Sequence, residues 1–158
     1  MSKIRFIVML TLTVVFLSLL AAAPVAAKKP LHHASGDGFF TVVDSPTKIN
    51  DFVFQFNARQ MKTDGTANGH MEFHNLTKGY DNYMNIDFMM MVDERSVLLE
   101  GTVSKSNNPN VDPGDCKTVY VQDNGEGRNA PDDQISKFTN CGNDTPLYPL
   151  DGGNIQVR

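Results

Sequence analysis

The stretch "VQDNGEGRNAPDDQIS", residues 121–136, places Asp123, Asn124, Glu126, Asp132 and Asp133 within eleven positions between two apolar runs. A hard cation such as calcium takes six to eight oxygens at about 2.3–2.6 Å, which five oxygen-bearing side chains and nearby carbonyls can supply. The spacing departs from the EF-hand pattern, and Arg128 adds a competing positive charge. The same residue types also build a wide hairpin loop, because Asp and Asn bond nearby backbone N–H groups and Gly accepts positive φ. Both readings stand: a calcium loop, or a polar turn in a protein without a cofactor. A metal-dependent hydrolase would draw on the same carboxylates.

Other chemistries find less support. His70, Glu72 and His74 alternate onto one strand face, but the two histidines are then about 13 Å apart at 3.3 Å per residue. They cannot share a metal bound at about 2 Å. Met84, Met89, Met90 and Met91 are thioethers of the kind Cu(I) favours, yet consecutive strand residues face opposite ways, so gap-filling in a core accounts for them better. No Ser sits in a Gly-x-Ser-x-Gly elbow and no Gly-rich phosphate cradle is present. His32 and His33 stand near the N-terminus. The two cysteines, Cys116 and Cys141, are too few for a structural zinc site and lack Cys-x-x-Cys spacing, so a disulfide is expected.

These residues must be positioned by strands. In "DFVFQFNA", Phe52, Phe54 and Phe56 share one face and Val53, Gln55 and Asn57 the other. "GHMEFHN" points Met71 and Phe73 inward, and "NYMNIDFMMMV" points Met84, Ile86, Phe88 and Met90 inward. In "SVLLEGTVS" the inward set is Val97, Leu99 and Val103, with Gly101 at a bulge or close approach. "GFFTVV", "KTVYVQD", "DQISKF" and "GNIQVR" complete a set of eight. The intervening segments are turn-rich and too short for crossover helices, which predicts an all-β, antiparallel fold. A small barrel is favoured because closure removes exposed edges, and a β-sandwich is the alternative. If the barrel encloses an apolar ligand, Phe54, Phe56, Phe73, Phe88 and Met90 would line the cavity.

The polar loop acquires a register if "KTVYVQD" and "DQISKF" form a hairpin with Cys116 opposite Cys141. The centre then falls between Arg128 and Asn129, in the middle of the loop. Opposed residues have Cα atoms about 4.5–5.5 Å apart, within the range of a disulfide. This register pairs Val121 with Ser136 and sends Ile135 to the wrong face, which a bulge near residues 135–137 would repair.

Lys3 and Arg5 precede an apolar run from Ile7 to Leu20 and the small residues of "AAAPVAA", the pattern of a secretory signal ending at Ala27. The run is short for a spanning helix of about 20 residues, so no membrane insertion is expected after cleavage. The expected organisation is a signal over 1–27, a flexible segment over 28–37 and one β domain over 38–158. Removing residues 1–27 takes two of the 14 basic residues and none of the 18 acidic ones, leaving 12 against 18 and a net charge of −6. An acidic chain without a basic stripe lacks the footprint of nucleic-acid binding.

"VQDNGEG", the Asp and Ile-Ser of "DDQIS", and the terminal "GGNIQVR", with "FVFQFNA" and "NGHMEFHN" upstream, resemble a family of small secreted bacterial β domains. These are often found after choice-of-anchor modules. The resemblance spans roughly residues 36–158 and implies a secreted β domain, periplasmic or extracellular. It implies no catalytic or binding residues. The chain departs from the pattern at Cys116 and Cys141, in the longer "GRNAPDD" insert and at "MMMV". The expected function is non-enzymatic: a module that presents its surface to a protein or glycan partner. A carrier of an apolar ligand and a metal-dependent hydrolase are the alternatives.

Overall fold

The computed structural model describes residues 29–143 and 145–158, so the expected signal lies outside the described residues. Ten strands form one antiparallel sheet: β1 (His32–Ser45), β2 (Lys48–Gln60), β3 (Thr66–Asn75), β4 (Tyr80–Met91), β5 (Ser96–Ser106), β6 (Cys116–Gln122), β7 (Gln134–Ser136), β8 (Thr139–Asn140), β9 (Leu147–Pro149) and β10 (Gly152–Val157). The spatial order is β10-β1-β2-β3-β4-β5-β6-β7-β9, with β8 paired to β6. The sheet curls into a half-barrel around a single core. The all-β barrel-like expectation holds, and no helix among the described residues is long and apolar enough to cross a membrane.

The alternation in the sequence selects the inner face. Phe52, Phe54, Phe56, Met71, Phe73, Met84, Ile86, Val97, Leu99 and Val103 are all buried, each 7 % exposed or less. Tight turns set the register between strands. Between β2 and β3, Gly65 has φ +89° while Asp64 Oδ1 accepts the Thr66 N–H at 2.8 Å and its hydroxyl at 2.6 Å. Gly101 is a close approach, because a Cβ there would collide with the Asn85 carbonyl of β4.

Three expectations are corrected. The segment 28–37 is not loose past Leu31: β1 begins at His32 and is paired with both β2 and β10 from Ala34 to Phe39. Its inward positions there are Ala34, Gly36 and Gly38, which carry no apolar alternation to read. Their smallness lets the Phe56 ring and Ile155 close over Gly36. In β4 the inward set changes after Ile86, where the ladder shifts between Ile86 and Phe88. Met89 is therefore fully buried, Phe88 is half-buried against Gly65, and Met90 points out at 45 % exposure. Finally, the described residues form ten strands where about eight were expected, the two additional ones being β8 and β9, which are two and three residues long and too short to show a period.

The hairpin after β6 has the expected centre with a slip of one residue. Lys117 pairs with Asn140 and Thr118 with Thr139, in register with Cys116 opposite Cys141. Beyond Lys137 the pairing becomes Val121 with Ile135 and Gln122 with Gln134. The slip turns Ile135 into the core, and Ser136 Oγ fills the interrupted ladder by accepting the Tyr120 N–H at 2.9 Å. Cys116 and Cys141 are joined, with Cα atoms 5.5 Å apart.

Candidate functional site

No ladder forms between β9 and β10, the two ends of the strand path. The residues of the proposed calcium loop bridge that gap. Asp133 accepts the Asn124 N–H on Oδ1 at 2.8 Å and the Ile155 N–H of β10 on Oδ2 at 2.6 Å. Asp123 accepts the Gly125 N–H on Oδ1 at 2.8 Å and the Val157 N–H of β10 on Oδ2 at 3.0 Å. Glu126 accepts from the Asn154 amide at 3.1 Å, and the Asn124 amide donates to the Asp132 carbonyl at 2.6 Å. The main chain completes the seam, with Leu150 N–H donating to the Asp133 carbonyl at 2.8 Å and Asp151 N–H to the Phe39 carbonyl at 2.9 Å.

Each carboxylate oxygen of Asp123 and Asp133 thus serves a backbone N–H, two of them on the otherwise unpaired edge of β10. Among the described residues, no three His, Cys, Asp or Glu side chains are placed to share a metal ion. His70 and His74 do not meet. His74 stands between Asp81, 2.7 Å from its Nδ1, and Glu72, 3.6 Å from its Nε2, with its ring edge-on to Tyr83.

The five residues expected to line an apolar cavity do not enclose one space. Phe54, Phe56 and Phe73 lie in the core, whose centre is filled by rings. Phe40 packs on Phe52 at 5.1 Å, Tyr148 at 5.9 Å, Phe73 at 6.0 Å and Phe54 at 6.3 Å between centroids. Met90 faces outward and Phe88 covers Gly65.

The outer face carries a feature that reading inward periods passes over. Two open clefts, of about 670 and 630 Å³, lie over β1 and β2 and share Asp37 and Gln55. Each is in the size range of ligand sites. Together they make one furrow along the two strands, running from Ser35 and Arg59 past Asp37 and Gln55 to Thr41 and Asp51. The six steps of strand from Ser35 to Thr41 give it a length of about 20 Å. Asn154 and Gln156 of β10 flank one side, and His70, Glu72 and His74 of β3 the other.

Phe39 stands in this furrow half exposed, at 50 %. Its ring leans over Gly152, where a Cβ would come within 2.6 Å of it, so the missing side chain seats the ring. The signal was present in "GFFTVV": adjacent Phe39 and Phe40 face opposite ways on a strand, so one of them must leave the core.

Compared with protein-family models, with curated proteins and with solved structures, the chain finds no match.

Proposed function

We propose that this chain is a secreted, non-enzymatic β module that holds its partner in the furrow between β1 and β2. The observation that carries the reading is a pair of adjoining outer-face clefts that combine a seated, half-exposed aromatic ring with planar amides and carboxylates. Secretion is supported by the leader pattern over residues 1–27 and by the Cys116–Cys141 disulfide, which suits an oxidising, extracytoplasmic compartment. The non-catalytic reading draws on the carboxylates of Asp123 and Asp133, which are engaged by backbone N–H groups rather than presented to a substrate. The ring-filled interior disfavours a carrier of an apolar ligand.

A fragment screen followed by amide chemical shifts tests the location without presuming the ligand. Hits should move the amides of Ser35–Thr41 and Asp51–Arg59 together. Hits that cluster at the 123–133 loop or inside the barrel would replace this reading.

A further inference from the structure

We propose that the furrow is a saccharide site, holding a chain of several neutral sugar residues along β1 and β2. This rests on the reading of the furrow as the binding face, and adds the chemistry of what fills it.

The polar half is lined by four planar amides, Gln55, Asn57, Asn154 and Gln156. Each amide carries an acceptor and two donors; Asn57, Asn154 and Gln156 each spend part of that capacity on His33, Glu126 and Arg158, and what remains suits hydroxyls that donate and accept at once. Where the two clefts join, Asp37 offers two acceptor oxygens in one plane, a fit to adjacent hydroxyls on one ring. Next to it stands Phe39, whose electron-rich face attracts the weakly positive C–H face of a pyranose. Because Gly152 seats the ring, little order is lost when a ligand stacks on it.

The other macromolecular class the groove could take is an extended peptide, and the backbone argues against it. Peptides that lie along sheets gain affinity by adding a strand to a free edge. The furrow floor is the face of β1 and β2; β2 is paired on two sides and so is β1 from Ala34 to Phe39, which leaves an open ladder edge only past Phe39, at the far end of the furrow. In the polar half Asp37 is offset by Arg59 and amides dominate, which suits an uncharged ligand there, while Asp51 and Glu72 add carboxylate acceptors for hydroxyls in the half that holds Phe39.

The test is a titration of isotope-labelled protein with millimolar gluco-, manno-, xylo- and N-acetylglucosamine oligosaccharides. At least one series should shift the amides of Ser35–Thr41 and Asp51–Arg59. Phe39→Ala should weaken that binding about tenfold, Phe39→Trp should retain it, and Val43→Ala, at an exposed apolar position outside the furrow, should leave it unchanged. If fragments perturb the furrow while no oligosaccharide does, the saccharide proposal fails and the binding face survives. If neither does, both fail. Saccharide binding that is indifferent to Phe39→Ala, or a cationic peptide that occupies the furrow when sugars do not, would also overturn the proposal.

Discussion

A carboxylate buried without partners costs several kcal/mol, and Asp133, only 7 % exposed, escapes that cost by accepting two backbone N–H bonds. The residue was legible in the sequence as one of a cluster of oxygen donors, but its partners were not. The Ile155 N–H comes from 22 positions further along the chain, and no local spacing announces it. Asp133→Ala leaves the buried Ile155 N–H and the part-buried Asn124 N–H unpaired and should lower unfolding stability by about 2 kcal/mol. The denaturant midpoint should fall at an unchanged slope, while Asp133→Asn, which keeps one acceptor oxygen, loses less. In the same experiment, wild-type melts with excess calcium and with chelator should superpose. A ligand that binds the folded state must raise stability by mass action, so a calcium-dependent rise would show the loop oxygens open to a metal.

At the scale of elements, the β6 hairpin shows how far a register can be argued. Opposing the two cysteines located its centre, and the mismatch at Ile135 called for an extra residue near 135–137. The structure has that slip, between the Thr118–Thr139 and Val121–Ile135 pairs. The disulfide closes the open end of this hairpin across 25 positions. Beside it, Lys117 is buried between the Asn140 amide oxygen at 2.5 Å and Asp115 at 3.2 Å. Replacing both cysteines by serine should cost about 3 kcal/mol by loop entropy, read as a lower melting temperature with the strand circular dichroism unchanged below it. In β4 the same logic failed. From Phe88 to Met91 every residue is apolar, so periodicity had no contrast with which to locate the bulge that exchanges Met89 for Met90.

Across the whole molecule, the barrel's ends are tied by contacts between residues remote in sequence. Asp44, at the end of β1, lies 2.8 Å from Lys137, 93 positions away. The Lys137 hydrogen bond is the main cause holding the Asp44 carboxyl below its ordinary value of 3.8. Burial draws Lys137 down, but its bond to Asp44 and its neighbourhood with Tyr148 leave it above its ordinary value. A depressed aspartate contributes stability in full above 3.8 and loses it as pH falls through the folded-state value. Wild type should therefore melt above Asp44→Asn at neutral pH, and the two curves should converge well below 3.8. A gap that persists in acid would assign the difference to packing instead. The sequence by itself determined the class of fold, most inward faces and the cysteine pair, because strand alternation, turn residues and a shared hairpin are local patterns. Only the tertiary structure decided that the acidic loop seals β10, that the ring-filled interior leaves the five expected lining residues without a common cavity, and that Phe39 stands in an outer furrow. Each of these depends on which distant strands are brought side by side, and a period of two residues carries no information about that.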